Sequence, residues 1–302
     1  MSMNHFLLVH FTGEDTKDGE QVYFSMSKDG KNFEDLNDGF PILKSEIGRG
    51  GVRDPFLIRD KVNHCFYIIA TDLRIHEGKG WQAAQNEGSM NIVVWKSEDL
   101  VNWSQPWLLP INISGGTNVW APECIYDELK EEFFIFWATK QNGKHKIFGA
   151  FTTDFKNLSQ PEIFMEKEKD VIDTTLIQHN GNWFRYSKDE TTSRIISEMS
   201  DSLCGDYSEI KSSILANFEG VEGPEIIKVD ENQWYLFVDR FIKRAGYTIL
   251  QSNDLESGDF TILSEDEFDL GKTRKRHGGL LEITKEESDR LQKFFNQQNS
   301  SH

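Results

Sequence analysis

A repeated unit of roughly 50 to 70 residues constrains the fold of this chain more than any other feature of its sequence. Each copy ends in a Ser or Thr, a nearby acidic or polar residue, and then an aromatic residue or Leu. The five copies of this segment begin at Ser27, Ser97, Thr153, Ser200 and Ser252. A strand-like aromatic run precedes each copy, at residues 5–11, 65–71, 133–139, 183–187 and 234–238. Units of this length with several short strands are typical of propellers, so the sequence predicts an all-β, five-bladed β-propeller.

The repeat also sets the expected bounds of the blades and of the loops between them. We expect the blades at residues 5–36, 54–103, 120–158, 171–210 and 222–263. The Gly-rich stretch 37–52 and the polar insertion 75–89 should form loops over one face of the propeller. Five blades account for nearly the whole length and no linker marks a second domain, so we interpret residues 1–302 as one domain.

The sequence also predicts the structure near the two ends of the chain. The N-terminal segment and a strand around residues 278–283 should join in the first blade, because joining both ends avoids an exposed sheet edge. Thr284 is followed three residues later by Glu287, which indicates a capping box at the start of a short helix. We expect this peripheral helix at residues 284–296, with residues 297–302 disordered.

Composition narrows the classes of partner. The chain has 302 residues and a formal net charge of −17, which argues against nucleic acids and anionic membrane surfaces as partners. Its three cysteines, Cys65, Cys124 and Cys204, show neither zinc-site spacing nor a disulfide framework. No apolar run approaches the ~18 residues needed to span a bilayer, and the first residues lack the basic and apolar regions of a signal peptide. The sequence therefore predicts a cytoplasmic protein.

Four of the blades open with an acidic residue, which we interpret as occupying the same point of each unit. The four residues are Asp54, Glu123, Asp173 and Glu222, and an apolar strand follows each of them. The innermost strand of a propeller blade lines the central channel, so these carboxyl groups should converge at one mouth of that channel. Converging carboxylates repel one another, so at least one should have a raised pKa. A protonated acid beside an ionised one is what glycoside hydrolysis requires.

The order of these motifs resembles that of glycoside hydrolase family 43, the five-bladed propeller family of arabinofuranosidases, xylosidases and arabinanases. The resemblance covers about residues 50–280 and rests on Asp54-Pro55, Trp120-Ala121-Pro122-Glu123, Ile172-Asp173, Glu222-Gly223-Pro224 and Arg276-His277-Gly278. It implies that Asp54 is the general base and Glu222 the general acid, and that Asp173 orients the acid and tunes its pKa. The family inverts configuration, which implies roughly 6.5 to 9.5 Å between the carboxyl groups of acid and base.

Six further residues are candidates for binding substrate or supporting the acids: Glu14, Arg53, Trp120, Glu123, Arg276 and His277. Trp120 would supply an apolar platform for a sugar face. Arg276 would hold Asp173 ionised or grip a sugar hydroxyl, and together with Asp173 it would keep the acid in its working protonation state. His277 matches a histidine on the family's channel axis that sometimes acts through water or calcium. Glu14 is a reserve candidate for substrate binding or for the base.

The motifs and the resemblance together favour an inverting, exo-acting glycosidase on pentose-containing oligosaccharides. The resemblance implies an α-L-arabinofuranosidase first and a β-xylosidase second, and the two loops 37–52 and 75–89 would close an open groove into a pocket. We expect a small oligosaccharide as the partner and leave the oligomeric state open. No cofactor or catalytic metal is expected, because the acids are spaced a whole blade apart instead of clustering as ligands. A structural calcium ion or water near His277 is compatible with this interpretation.

Two other functions remain open from the sequence. Arg53-Asp54-Pro55 and Glu123-Cys124 also resemble motifs of the retaining β-fructosidases, although the first blade lacks the upstream Asn-Asp-Pro-Asn type of nucleophile motif. The second alternative is a non-catalytic carbohydrate-binding propeller, which would tolerate loss of the acids.

Overall fold

The computed structural model describes residues 4–299 and folds them into five four-stranded antiparallel sheets, which confirms the five-bladed β-propeller. Blade 1 begins with β1 (His5–His10), β2 (Tyr23–Ser27) and β3 (Phe33–Asp35). Blade 2 contains β4 (Val52–Asp60), β5 (Cys65–Asp72), β6 (Asn91–Ser97) and β7 (Trp107–Pro110). Blade 3 contains β8 (Trp120–Asp127), β9 (Glu132–Gln141), β10 (Lys144–Thr152) and β11 (Glu162–Met165).

The second half of the chain completes the ring. Blade 4 contains β12 (Val171–His179), β13 (Asn182–Asp189), β14 (Arg194–Ser200) and β15 (Ser208–Glu209). Blade 5 contains β16 (Glu222–Asp230), β17 (Gln233–Asp239), β18 (Tyr247–Ser252) and β19 (Thr261–Ile262). The last strand, β20 (Gly278–Ile283), returns to blade 1. The predicted ends of blades 2 and 3 were wrong, because β7 and β11 lie beyond them. These short, partly exposed strands lack the aromatic run that marks the second strand of each blade.

The segment that repeats in the sequence is the turn between the third and fourth strands of each blade. In blade 1 the Asp29 carboxylate accepts hydrogen bonds from the backbone N–H groups of Lys31 and Asn32, and Ser27 Oγ accepts from Gly30 N. Asp99 in blade 2 and Asp154 in blade 3 make the same pattern. Such side-chain to backbone bonds replace ladder bonds where a strand ends, so the repeat is a structural signal.

The core is divided among the interfaces between neighbouring blades. Trp95, Trp137 and Trp234, from blades 2, 3 and 5, are each about 1% exposed and fill separate clusters of aliphatic and aromatic side chains. The strands that carry these tryptophans, β6, β9 and β17, are therefore mostly buried on both faces.

The ring closes where the sequence predicted. β20 pairs with β1 in antiparallel register, with Leu281 opposite Leu7. This pairing places the residues immediately before β20, Arg276 and His277, at the axis. The closing strand thus carries two of the predicted site residues into the channel.

The C-terminal helix and the short helix of the insertion 75–89 lie outside the five sheets. The C-terminal helix runs over Lys285–Asn299, three residues beyond its predicted end, and Leu291 and Phe295 pack in the same cluster as Leu7. Residues 297–299, which were predicted to be disordered, belong to this helix instead, and residues 300–302 lie outside the described residues. The assignment of residues 1–302 to one domain stays a prediction. The insertion 75–89 forms a short helix, Trp81–Asn86, in addition to loop. Within residues 4–299, no helix has the length and apolar character to cross a membrane.

Candidate active site

Seven of the nine predicted site residues line one cavity of about 520 Å³ at a mouth of the central channel. They are Glu14, Arg53, Asp54, Trp120, Asp173, Glu222 and Arg276. All five blades contribute to this wall, through residues widely separated in the sequence. The convergence predicted from the motifs is therefore present for Asp54, Asp173 and Glu222.

A β-bulge near the start of four of the five inner strands positions these side chains. The register of β4, β8, β12 and β16 shifts at this point, and one residue of each bulge has positive φ. These residues are Asp54 (φ 50°), Ala121 (φ 47°), Asp173 (φ 48°) and Gly223 (φ 54°). A Cβ at Gly223 would lie 2.6 Å from His277 Cβ, so glycine is needed there for space as well as for conformation.

The bulges correct the expectation that four acids occupy the same point of each unit. Asp54 and Asp173 are equivalent, but Glu222 precedes its bulge residue by one position and Glu123 follows its own by two. The two glutamates thus leave the strand at different points of their bulges. Glu222 lines the cavity with Asp54 and Asp173, whereas Glu123 does not and is 3% exposed.

Asp54 is held as a carboxylate by its neighbours. Thr71 Oγ1 donates to Asp54 Oδ2 at 2.9 Å, and His277 Nδ1 lies 3.4 Å from Oδ1. Burial raises the pKa of Asp54, but the hydrogen bond and charge of His277 and the charge of Arg53 outweigh it, so the pKa is below its ordinary value. An ionised carboxylate at neutral pH is suited to accept a proton.

Glu222 lies between two cations. Arg276 Nη2 is 2.8 Å from Oε1, and Lys188 Nζ is 2.9 Å from Oε2. Burial raises the pKa of Glu222, but the charges of Lys188 and Arg276 outweigh it, and the pKa is lowered overall. Arg276 was expected to hold Glu222 in its working protonation state and pose; its guanidinium binds one carboxyl oxygen, and its charge favours the ionised form of Glu222.

Arg276 also differs from its predicted contacts. Its Nε donates to Asp239 Oδ2 at 2.6 Å and its Nη1 lies 3.4 Å from Glu14, so it contacts Glu222, Asp239 and Glu14 but makes no ion pair with Asp173. Asp173 Oδ2 instead accepts a hydrogen bond from Gly223 N at 3.0 Å. Burial, and then the negative charge of Glu222 against the opposing charge of His277, raises the pKa of Asp173 to about 7. Asp173 is the cavity carboxyl that holds a proton near neutrality.

His277 connects the cavity to a second buried acid. Its Nε2 lies 4.0 Å from Glu123 Oε1, an atom without a hydrogen-bond partner in the part of the chain that the structure describes. Burial lowers the pKa of His277, but Asp54 and Glu123 raise it well above its ordinary value. Burial raises the pKa of Glu123 to about 7. The predicted role of Glu123 in binding substrate is therefore not supported by its position, which is at His277 and outside the cavity wall.

His277 is the residue near which a calcium ion or a water molecule was predicted. In residues 4–299, no group of three or more His, Cys, Asp or Glu side chains is arranged to hold a metal ion. The presence of either species stays a prediction.

Glu14 and Arg53 form part of one ion-pair network on the cavity wall. Arg53 Nη1 lies 3.2 Å from Glu14 and 2.9 Å from Glu20, and its guanidinium lies 4.4 Å from the ring centre of Phe11. Burial raises the pKa of Glu14, but the charge and hydrogen bond of Arg53, a backbone hydrogen bond and the charge of Arg276 together lower it below its ordinary value. Glu14 thus binds two arginines, Arg53 and Arg276, which favours an orienting role over that of a base.

Two tryptophans meet at the mouth, and only one of them was predicted. Trp120 is 9% exposed and stacks on His145 at 5.2 Å between ring centres. Trp81 packs edge-on against Trp120 and is 44% exposed. The accessible apolar surface therefore belongs mainly to Trp81, from the insertion in blade 2.

Sequence reasoning missed Trp81, Lys188 and Glu20. Trp81 stands in a polar insertion without strand periodicity, and Glu20 in a loop. Lys188 is the penultimate residue of β13, where a lysine usually indicates an exposed strand end. The short acidic and Gly-Pro motifs gave no signal for these three residues.

A five-bladed propeller with carboxyl groups gathered at one mouth of its channel defines a glycosidase of the propeller class. A family model described as "Probable glycosyl hydrolase domain", related to glycoside hydrolase family 43, matches residues 2–289. The chain therefore belongs to this family, as the motif order predicted.

Individual relatives differ in activity. A curated α-L-arabinofuranosidase of Bifidobacterium longum subsp. longum is 26% identical over 286 residues, which cover 78% of this chain and 27% of the relative. The chain thus spans about a quarter of the length of this relative. An endo-1,4-β-xylanase of Bacteroides thetaiotaomicron superposes with a TM-score of 0.60 and 14% identity, covering 91% of this chain and 93% of the other. A putative exo-β-1,3-galactanase of Bifidobacterium bifidum gives a TM-score of 0.59 and 12% identity, covering 90% and 91%. At these identities the two structures show the fold alone.

Proposed function

We propose that this protein is an inverting, exo-acting glycosidase that releases α-L-arabinofuranosyl residues from short oligosaccharides. The observation that carries the proposal is the placement of Asp54 and Glu222 on the wall of one cavity, from blades 2 and 5. In a single displacement, Glu222 protonates the leaving oxygen while Asp54 draws a proton from the water that attacks the opposite face of the sugar.

The protonation states support Asp54 as the base and set a pH condition on Glu222 as the acid. Asp54 has a lowered pKa and is ionised at neutral pH, as a base must be. Asp173, with a pKa of about 7, keeps a proton in the same cavity. Glu222 must gain a proton to act as the acid, so we expect turnover to fall as the pH rises and Glu222 ionises. Asp173 tunes this step because their charges interact.

The shape of the cavity supports exo action. The helix Trp81–Asn86 borders it on one side, and a 3-10 turn at Phe241–Lys243 on another. Its volume of about 520 Å³ is within the range of roughly 300 to 1,000 Å³ typical of small-ligand pockets. The choice of arabinose rests on the curated relative, and the xylanase and galactanase neighbours make β-xylosides and galactosides the next substrates to examine.

The proposal is tested with 4-nitrophenyl pentosides and linear arabino- and xylo-oligosaccharides. The first product is followed by NMR, and inversion with early release of monosaccharide is expected. Asp54→Asn and Glu222→Gln should each lower kcat by about 10² to 10⁴-fold, the usual contribution of a positioned acid or base. Circular dichroism and melting temperature establish that the variants fold. Retention of configuration, early release of internal fragments, or unchanged turnover in Glu222→Gln would each overturn the corresponding part of the proposal.

A further inference from the structure

Lys188 is a buried cation beside the proposed acid, and the motif order gave it no role. Its side chain is 2% exposed and projects from β13 near the mouth of the cavity. The ammonium lies 2.9 Å from Glu222 Oε2, 2.6 Å from Glu190 Oε2 and 4.3 Å from the ring centre of Phe241. A buried ammonium is costly unless it is paired, so its position next to Glu222 is a defined feature of the site.

Lys188 and Arg276 each donate a hydrogen bond to a different oxygen of the Glu222 carboxyl group. Oε1 faces Arg276 and Oε2 faces Lys188. Rotating the carboxyl group away from either cation would break a charge-assisted hydrogen bond, which is about twice as strong as a neutral one. The pair therefore fixes the orientation of Glu222 from two blades, with β13 on one side and the segment before β20 on the other.

We propose that Lys188 is a positioning residue that holds the carboxyl group of Glu222 in the cavity through its contact with Oε2. The inference rests on the proposed function, because it assigns Glu222 the role of proton donor. Lys188 itself touches neither proton acceptor nor sugar in this scheme and acts through Glu222.

The charges around Glu222 give the direction of the effect. Burial raises the pKa of Glu222, and the charges of Lys188, Arg276 and Arg53 lower it. The negative groups that oppose these cations from the other packed strands are Asp173, Glu190, Asp239 and Glu14. Burial lowers the pKa of Lys188, but the charges of Glu222 and Asp173 raise it well above its ordinary value. Lys188 thus stays charged over the working pH range, and removing it should let Glu222 keep its proton to higher pH.

The test measures kcat/KM against pH for Lys188→Met, Lys188→Gln and Lys188→Arg. The alkaline limb should move up by about one pH unit or more in the Met and Gln variants, since an opposite charge within hydrogen-bonding distance lowers a carboxyl pKa by about one to three units. Arginine keeps the charge and should leave the limb near its original position. Lys146→Met is the matched control, because Lys146 pairs with Glu166 at 3.1 Å away from the cavity and should not move the limb. An unmoved limb in both uncharged variants would overturn the inference.

A second measurement needs no turnover. The carboxyl carbon of Glu222 is titrated by NMR in protein labelled with ¹³C-glutamate, and its resonance is assigned by its loss in Glu222→Gln. Its midpoint should rise in Lys188→Gln relative to the parent and to Lys146→Met. If the midpoint rises but no glycoside is cleaved, the proposed function fails while the contact assignment stands. If glycosides are cleaved and the midpoint does not rise, Lys188 has no such role.

Discussion

Trp81 shows how the accessible surface of a site can differ from the surface that its motifs mark. Trp120 belongs to the Trp-Ala-Pro-Glu motif, yet it lies beneath Trp81 and has little exposed surface. Trp81 is fixed by Trp120 and by Arg53, whose guanidinium lies 4.8 Å from its ring centre. A large apolar ring that is half-exposed and already held in place binds a sugar face with little loss of side-chain freedom.

We expect Trp81→Ala to raise KM for a linear oligosaccharide about two- to tenfold, because aromatic contacts of this kind contribute about 0.5 to 1.5 kcal/mol. The value of kcat should change little, since Trp81 is not among the proton-transferring groups. Trp81→Phe keeps a ring at the same position and serves as the control. Equal KM values for the Ala and Phe variants would show that the ring does not contact substrate.

The catalytic candidates could be predicted from the sequence, and their electrostatic partners could not. Asp54, Asp173 and Glu222 stand in short local motifs beside apolar strands. Lys188 and Glu20 reach the site through contacts between residues 34 and 33 positions apart, with Glu222 and Arg53 respectively. Pairings between blades depend on the folded register, which no local spacing reveals.

Among the elements, the inner-strand bulge was the feature that sequence reasoning missed. The turns between the third and fourth strands could be predicted from the sequence, because side-chain to backbone hydrogen bonds between neighbouring residues hold them, such as those of Asp29 and Asp99. The bulges are defined against the neighbouring strand, so their effect on Glu123 and Glu222 appears only in three dimensions. Ala121 adopts φ 47° without being glycine, which indicates that the surrounding contacts outweigh a cost of about 1 to 2 kcal/mol.

The C-terminal helix packs on the outside of the propeller. A substitution on its buried face should change the stability of the protein and leave its activity unchanged. Leu291 is 0% exposed and packs in the cluster between blades 1 and 2. Leu291→Ala should lower the free energy of unfolding by about 2 to 5 kcal/mol, as buried Leu to Ala changes usually do. Chemical denaturation measures this loss, and KM and kcat of the folded fraction should match the parent. The exposed residue Lys293 on the same helix provides a control, Lys293→Ala. A loss equal to that control would mean that the helix does not share the core.

For the whole molecule, the decisive contact is the one that closes the ring. Gly278 begins β20, and a Cβ there would lie 2.0 Å from Val9 O and 2.8 Å from His10 Cα. Its φ is not positive, so the requirement for glycine arises from the close approach of β1.

Gly278→Ala should lower the free energy of unfolding by about 1 to 3 kcal/mol, the usual cost of overfilling a packed position. Because Arg276 and His277 directly precede this residue, kcat should fall as well. Glu282→Ala, at an exposed position of the same strand, should leave both quantities near those of the parent. Thermal denaturation and initial rates on one substrate give the comparison, and an unchanged melting temperature would show that β1 and β20 accommodate the added methyl group.

The place of Arg276 and His277 ahead of the closing strand has a consequence for biosynthesis. A nascent polypeptide still attached to the ribosome could stack four complete blades and already contain Asp54, Asp173 and Glu222. It would lack the guanidinium and imidazolium that partner Glu222 and Asp54 until β20 emerges and pairs with β1. Of the contacts around the proposed acid and base, those from Arg276 and His277 are therefore synthesised after the three carboxyl groups, and a product that stops before Arg276 would lack them.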